Sequence, residues 1–349
     1  MSEVLVTGGN GFVGRHAVMA LRDRGEEVRV LALPDEDTRW LEQQGIAVHR
    51  GDICRAETLA GPMRGVEKVL HLAAMSHVWR PLEHYRAVNV SGSENVCRAA
   101  LSAGVRRLVH MSSSSVYGSA LDQPAEESFP LAPFPDPYSL TKAEGETVVQ
   151  RMIQDHGLPA VIIRPDQIFG PGDRVHFAQA ADRLARGRAI IVGAGDNALP
   201  LVFISDIVDG LLLALEHPRA VGRAYNITND RPLTQREFLE AIAQQLGIAL
   251  RRVHVPYKLL YAAGWAAERV AMLSRSGRRP PLTRLGVVFL GSDSRCAIDK
   301  ARRELGYAPS VALQDGVRRT AAWYREGQPE APVAAGCPDP THDLEEVNA

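Results

Sequence analysis

The chain has 349 residues, enough for one large α/β domain with a smaller lobe or for two ordinary domains. Apolar residues make up 45% and charged residues 23%, a globular composition that excludes disordered, collagen-like and disulfide-stapled classes. A formal net charge of −1 leaves no footprint for nucleic acid.

The basic run Arg275-Ser276-Gly277-Arg278-Arg279 is short and reads as a solvated loop. Cys54, Cys97, Cys296 and Cys337 are scattered, with no spacing that signals zinc or a disulfide framework, so no metal is expected. The N-terminus enters the apolar run Val4-Leu5-Val6 directly, leaving no room for a signal peptide, and no apolar stretch is long enough to span a bilayer. A cytoplasmic protein without an integral membrane segment is expected.

Val4 to Thr7 reads as a buried strand, followed by the turn Gly8-Gly9-Asn10-Gly11-Phe12-Val13-Gly14 into a helix ending near Gly25. Glycines at every third position let backbone N–H groups and a helix N-terminus approach a pyrophosphate, with Gly14 allowing close helix–strand packing. A second strand, Glu27 to Leu33, ends in Ala32 and Leu33, which offer neither an acid for a ribose hydroxyl nor an arginine for a 2′-phosphate. Asp35, Glu36 and Asp37 beyond it would repel a 2′-phosphate and Arg15 and Arg39 would attract one, so the choice stays open, leaning to NAD over NADP.

A third strand, Ile46 to Val48, runs to Gly51-Asp52-Ile53, where Asp52 either accepts from an adenine amine or caps the segment from Arg55. The fourth, Val69 to Ala74, ends in small residues that let a cofactor lie against the backbone, with His77 and Trp79 in the loop at the same edge. A helix from Glu83 to Ala103 carries Asn89 and Asn95, and the fifth strand, Arg107 to Met111, runs into four serines, Ser112 to Ser115. Ligands are expected at the C-terminal end of a parallel strand, where a hydroxyl can bond a substrate oxygen. A proline-rich, acidic, lid-like loop from Ser119 to Pro137 leads into a helix from Tyr138 to about His156.

Tyr138 and Lys142 lie four apart on one face of that helix. A phenol titrates near ~10, so proton transfer near neutrality calls for about 4 kcal/mol of help, and a neighbouring ammonium supplies help of that sign.

Together Thr7-Gly8-x-x-Gly11-x-x-Gly14, the serine run and Tyr138-x-x-x-Lys142 resemble the extended short-chain dehydrogenase/reductase family, over residues 3 to about 326. Gly51-Asp52-Ile53, His71-Leu72-Ala73-Ala74, Asn89-Val90-x-Gly92, Val116-Tyr117-Gly118 and Arg164-Pro165 with Phe169-Gly170-Pro171-Gly172-Asp173 also look like this family. The resemblance implies a doubly wound, mainly parallel Rossmann sheet with a smaller, discontinuous C-terminal substrate lobe. It implies Tyr138 as acid/base, Lys142 depressing its pKa and holding the nicotinamide ribose, and Ser113 polarising the carbonyl, with Ser112 or Ser114 able to share that role. The cofactor would lie on Gly8, Gly11, Phe12, Val13, Asp52, Ile53, Leu72, Ala73, Ala74, Asn89, Tyr138, Lys142 and Pro165. His77, Ser114 and Gln167 would face the substrate, and a homodimer would form through the helices after Glu83 and Tyr138.

Within the family, nucleotide-sugar enzymes usually carry an asparagine where Gln167 stands and an arginine where Leu199 stands. A diphosphate without a cationic partner is poorly held. Gly193 to Val202, Arg279 to Arg284 and Asp299 to Pro309 look like the 3β-hydroxysteroid dehydrogenase-like branch. The apolar segment Pro256 to Ser274 could line a substrate pocket, touch a membrane surface or simply pack the lobe. Strand Ala224 to Thr228, helix Thr234 to Leu246, a final helix Ala312 to Glu326 and a loose tail from Gln328 complete the chain. The expected division is 1–165 with part of 200–228 for NAD(P), 166–199 and 229–326 for substrate, and 327–349 as tail. The expected reaction interconverts a secondary alcohol and ketone on an apolar, acyl or sterol-like small molecule, with a nucleotide-sugar epimerase or dehydratase as the alternative.

Overall fold

The computed structural model describes residues 3–118, 123–250, 253–274 and 279–327. Cys337, the tail from Gln328 and the run from Arg275 to Arg278 lie outside the described residues. In chain order the strands are β1 (Glu3–Thr7), β2 (Glu27–Ala32), β3 (Ala47–Arg50), β4 (Lys68–His71), β5 (Arg107–Met111), β6 (Ala160–Pro165), β7 (Gln167–Phe169), β8 (Ile191–Val192), β9 (Leu201–Phe203), β10 (Ala224–Ile227) and β11 (His254–Val255). The helices are α1 (Phe12–Asp23), α2 (Arg39–Gln43), α3 (Ala60–Met63), α4 (Leu82–Arg86), α5 (Ser93–Ser102), α6 (Pro137–His156), α7 (Phe177–Ala185), α8 (Ile204–Glu216), α9 (Gln235–Leu246), α10 (Tyr257–Ser274), α11 (Arg284–Gly291), α12 (Asp299–Leu305) and α13 (Leu313–Arg325).

Seven strands form one parallel sheet in the order β10-β6-β5-β4-β1-β2-β3. The order reverses at β1, a topological switch point, and a ligand crevice is expected there at the C-terminal strand edge. The strands are apolar on both faces because helices cover both. Val4, Val6, Val109, Val161 and Ile163 join the core beneath α1 and α8, while Leu5, Leu108, Ala160 and Ile162 join the one beneath α5 and α6. The remaining strands pair in twos, β7 with β9 and β8 with β11, on the far side of β6 in sequence.

Three differences from the sequence reading bear on the site. The fourth strand stops at His71 rather than Ala74, because Leu72 and Ala73 turn their N–H groups to the Thr7 carbonyl and Thr7 Oγ1. The helix expected from Glu83 to Ala103 contains a π-helical turn over Ala87–Gly92. There the Asn89 carbonyl meets α6 so closely that a Cβ on Gly145 would lie 2.3 Å from it. Helix α6 begins at Pro137, with the Asp136 carboxylate accepting from the Tyr138 and Ser139 N–H groups, and ends at Gly157 with φ 66°.

One buried ion pair fixes α6 against the sheet. Glu146, fully buried, takes Arg164 of β6 in a forked contact and also accepts from Ser112 Oγ at 2.6 Å. Removing one member of a buried pair leaves the other charge uncompensated. Glu146→Gln is therefore expected to lower stability by about 3–5 kcal/mol in urea unfolding, whereas Glu94→Gln, which breaks an exposed pair with Arg98, should cost under about 1 kcal/mol.

Candidate active site

The crevice starts at the glycine turn. Gly8 has φ 69°, and a Cβ there would lie 2.7 Å from the Ala73 nitrogen, so only glycine lets the two strand ends approach this closely. A Cβ on Gly14 would sit 2.0 Å from the Gly8 carbonyl oxygen. The first turn of α1 carries no acid and no capping side chain, so no side chain takes its first N–H groups or answers the positive end of the helix dipole. The cradle fits a pyrophosphate.

At the end of β2, Glu36 swings back so that its carboxylate accepts from the Leu33 N–H at 3.1 Å and from Asn10 Nδ2 at 3.0 Å. Arg15 is buried, donates to Asn10 Oδ1 and lies 4.6 Å over the Trp40 ring, while exposed Arg39 pairs with Asp37. Asp52 is occupied locally, accepting from the Cys54 N–H at 2.9 Å. Ile53 is buried, and its carbonyl accepts from Asn95.

The four serines take different partners. Ser112 is tied to Glu146, Ser114 to the Asp166 carboxyl, and Ser115 is buried. Of the four, Ser113 is the serine whose hydroxyl acts on the Tyr138 phenol, and its Oγ accepts the Ser115 N–H. Burial pushes the phenol above its usual pKa, Ser113 pulls it down, and Asp136 adds to the rise. Lys142 is buried one turn further along α6 and donates to the Met111 carbonyl at 2.5 Å. Burial lowers its pKa to about 8, opposed by Glu146. The ammonium thus faces the end of β5.

Neutral imidazoles underlie the pair. His71 bonds Thr7 Oγ1 at 2.7 Å and Ser93 Oγ at 3.0 Å, and burial lowers it to about 3. His110 lies beside it with ring centroids 5.3 Å apart, held well below its usual value by burial, Lys142 and His71. Asn89 braces the near wall, accepting the Met75 N–H and donating to the Met75 carbonyl and Thr141 Oγ1.

On the open side, exposed His77 stacks over the Tyr138 ring with centroids 6.4 Å apart and meets His176 edge-on at 5.1 Å. Its φ of 59° makes it the one described non-glycine residue with a left-handed backbone. His176 precedes α7, where Asp173 accepts three backbone N–H groups and fixes the turn. Pro165 is buried in β6, and Gln167 is half-buried in β7 with its N–H on the Pro200 carbonyl. Leu199 is 2% exposed and packed in the core, so that position cannot present a side chain to a diphosphate.

Asp136, Glu146, Asp166 and His176 join the site without having been singled out in the sequence. Asp136 followed by a proline at the start of a helix was a readable capping signal, and Glu146 extends the four-residue spacing of Tyr138 and Lys142. Asp166, bonded to Thr228 Oγ1 at 2.5 Å, and His176 carried no local signal.

The profile of the "NAD dependent epimerase/dehydratase family" matches residues 4–228. The chain is 33% identical to a 2-alkyl-3-oxoalkanoate reductase of Stenotrophomonas maltophilia, covering 92% of this chain and 98% of the relative. It is 30% identical to a 3-beta-hydroxysteroid dehydrogenase of Mycolicibacterium neoaurum, covering 93% and 92%. Among solved structures, a dTDP-glucose 4,6-dehydratase of Streptomyces venezuelae with NAD bound aligns with a TM-score of 0.76 at 30% identity, covering 93% and 97%.

The neutral His71 carries a pH signature. The unfolded chain binds a proton on this ring below about 6.5 and the folded one only near about 3, so stability is intact above the higher value and is lost as pH falls. The loss should reach about 2 kcal/mol near pH ~5. Urea unfolding of His71→Gln should show that part of the slope gone; an unchanged slope would contradict the assignment.

Proposed function

Because the chain belongs to the NAD-dependent epimerase/dehydratase family, we propose that it interconverts a secondary alcohol and a ketone on an apolar, acyl or sterol-like small molecule, with NAD preferred over NADP. The observation that carries this reading is that, of four adjacent serines, Ser113 is the one whose hydroxyl acts on the buried phenol of Tyr138, in a fold whose first strand ends in the glycine cradle.

When bound, the nicotinamide would supply or accept the hydride. Gly8, Gly11, Phe12 and Val13 would hold its pyrophosphate, Asp52 and Ile53 its adenine, and Leu72, Ala73, Ala74, Asn89, Lys142 and Pro165 its nicotinamide half. Ser113 donates a hydrogen bond to the substrate oxygen, and Tyr138 delivers the proton as that oxygen gains charge. Burial keeps the phenol protonated, which suits it to act as the acid in ketone reduction. His77, Ser114 and Gln167 face the substrate, and His176 backs His77.

The Glu36 carboxylate at the end of β2 supports NAD, since a 2′-phosphate there would meet an anion while Arg15 is folded away on Trp40. Buried Leu199 supports a carbonyl substrate over a sugar diphosphate. The two named relatives, an oxoalkanoate reductase and a hydroxysteroid dehydrogenase, favour the same class. In this reading residues 1–165 with part of 200–228 serve the cofactor, and 166–199 with 229–326 the substrate. The protein would work in the cytoplasm as a homodimer joined through α5 and α6.

Two measurements test it. With a panel of 3-oxo acids and 3-oxosteroids, NADH consumption should fall roughly 10²–10⁴-fold in Tyr138→Phe with NADH binding retained, and Ser113→Ala should cost more than Ser114→Ala. Tight binding of UDP- or TDP-glucose by the wild type would overturn the substrate class. In direct titration NADH should bind at least about tenfold more tightly than NADPH, and Glu36→Gln should narrow the gap.

A further inference from the structure

Five of the described large apolar side chains that stand most exposed lie on α10: Leu259, Trp265, Val270, Met272 and Leu273, the last 84% exposed. The helix buries a narrow stripe at four-residue spacing, Leu260, Gly264 and Glu268. Glu268 is consumed there, accepting the Arg284 N–H at 2.8 Å and Arg284 Nε at 2.6 Å. The rest of the circumference is open. At 3.6 residues per turn, Leu259, Val270 and Leu273 form one outer strip, with Lys258 and Arg269 beside it and Trp265 and Met272 beyond them. No acid lies on this open face.

The charge around it is one-sided. Between Arg251 and Ser292 the sequence has eight lysines and arginines and one acid, the buried Glu268, in a chain whose formal net charge is −1. A two-fold contact with a second copy would bring cations against cations with no acid on either face to answer them. An anionic lipid surface answers both features: acyl chains take the apolar strip, and headgroups take Lys258 and Arg269, whose stems can lie along it. No described helix is long and apolar enough to cross a membrane, so the contact is one of lying on the surface.

We infer that α10 docks the protein on an anionic lipid bilayer through Leu259, Trp265, Val270, Met272 and Leu273, with Lys258 and Arg269 at the headgroups. The segment that follows α10 adjoins the crevice: Arg284 lies 6.0 Å over Phe134 in the loop entering α6, and Arg279 donates to the His77 carbonyl.

Flotation of the full chain with vesicles tests this without any turnover. Vesicles of phosphatidylcholine with about one third phosphatidylglycerol should carry the protein up, pure phosphatidylcholine should carry much less, and added salt should weaken the difference. Leu259→Glu with Leu273→Glu should lower recovery roughly tenfold or more, while Val221→Glu, at an exposed apolar residue elsewhere, should not. Lys258→Glu with Arg269→Glu should remove the preference for anionic vesicles. All these side chains are exposed, so thermal unfolding and dinucleotide binding should stay as in the wild type. Absence of flotation with either vesicle, or equal recovery of the Leu259/Leu273 variant, would overturn the inference. So would a fall in solution mass on those substitutions, which would assign the face to a second copy.

Discussion

The buried contact between Glu146 and Arg164 is what the rest of the site hangs from. Tyr138, Lys142 and Glu146 follow one another at four-residue spacing, so anchoring the third sets the rotation of α6 and with it the direction of the other two. Arg164 carries the constraint outward. Its guanidinium reaches the Tyr117 hydroxyl, Tyr117 donates to Asn226 on β10 at 2.8 Å, and Asn226 donates to the Ala125 and Ala297 carbonyls. A buried charge pair is seldom the cheapest way to gain stability, but a fully bonded one tolerates few alternative packings. Here it fastens the sheet edge, helix α6 and two distant loops in one arrangement.

Burial decides the electrostatics above that anchor. It keeps the imidazoles of His71 and His110 neutral, draws Lys142 down to about 8 and lifts the phenol of Tyr138. The sequence spacing alone suggested an ammonium acting on the phenol. In the fold the ammonium is turned to Met111 at the end of β5, just before the serine run, and the Ser113 hydroxyl eases the phenol's ionisation.

What could be read from the sequence was what depends on neighbours in the chain. The strands of the large sheet, the glycine turn and the helix after Pro137 are local patterns, and they lie within a few residues of their expected places. The serine run was ambiguous because four adjacent hydroxyls differ only in their distant partners, Glu146 for one and Asp166 for another. The π-helical turn at Asn89 was invisible because its cause is Gly145, on another helix. For α10, a buried and an exposed apolar stripe have the same periodicity, and only the packing of Gly264 against the Thr283–Arg284 backbone tells which side faces in.

His77 shows what such a site costs its owner. Its left-handed backbone carries about 1 kcal/mol of strain that glycine in the same place would shed. A search for heat-resistant variants that scores stability alone would therefore favour replacing it. Such a variant would lose the ring that stacks on Tyr138 and meets His176, so robustness and the packing over Tyr138 pull this one position in opposite directions.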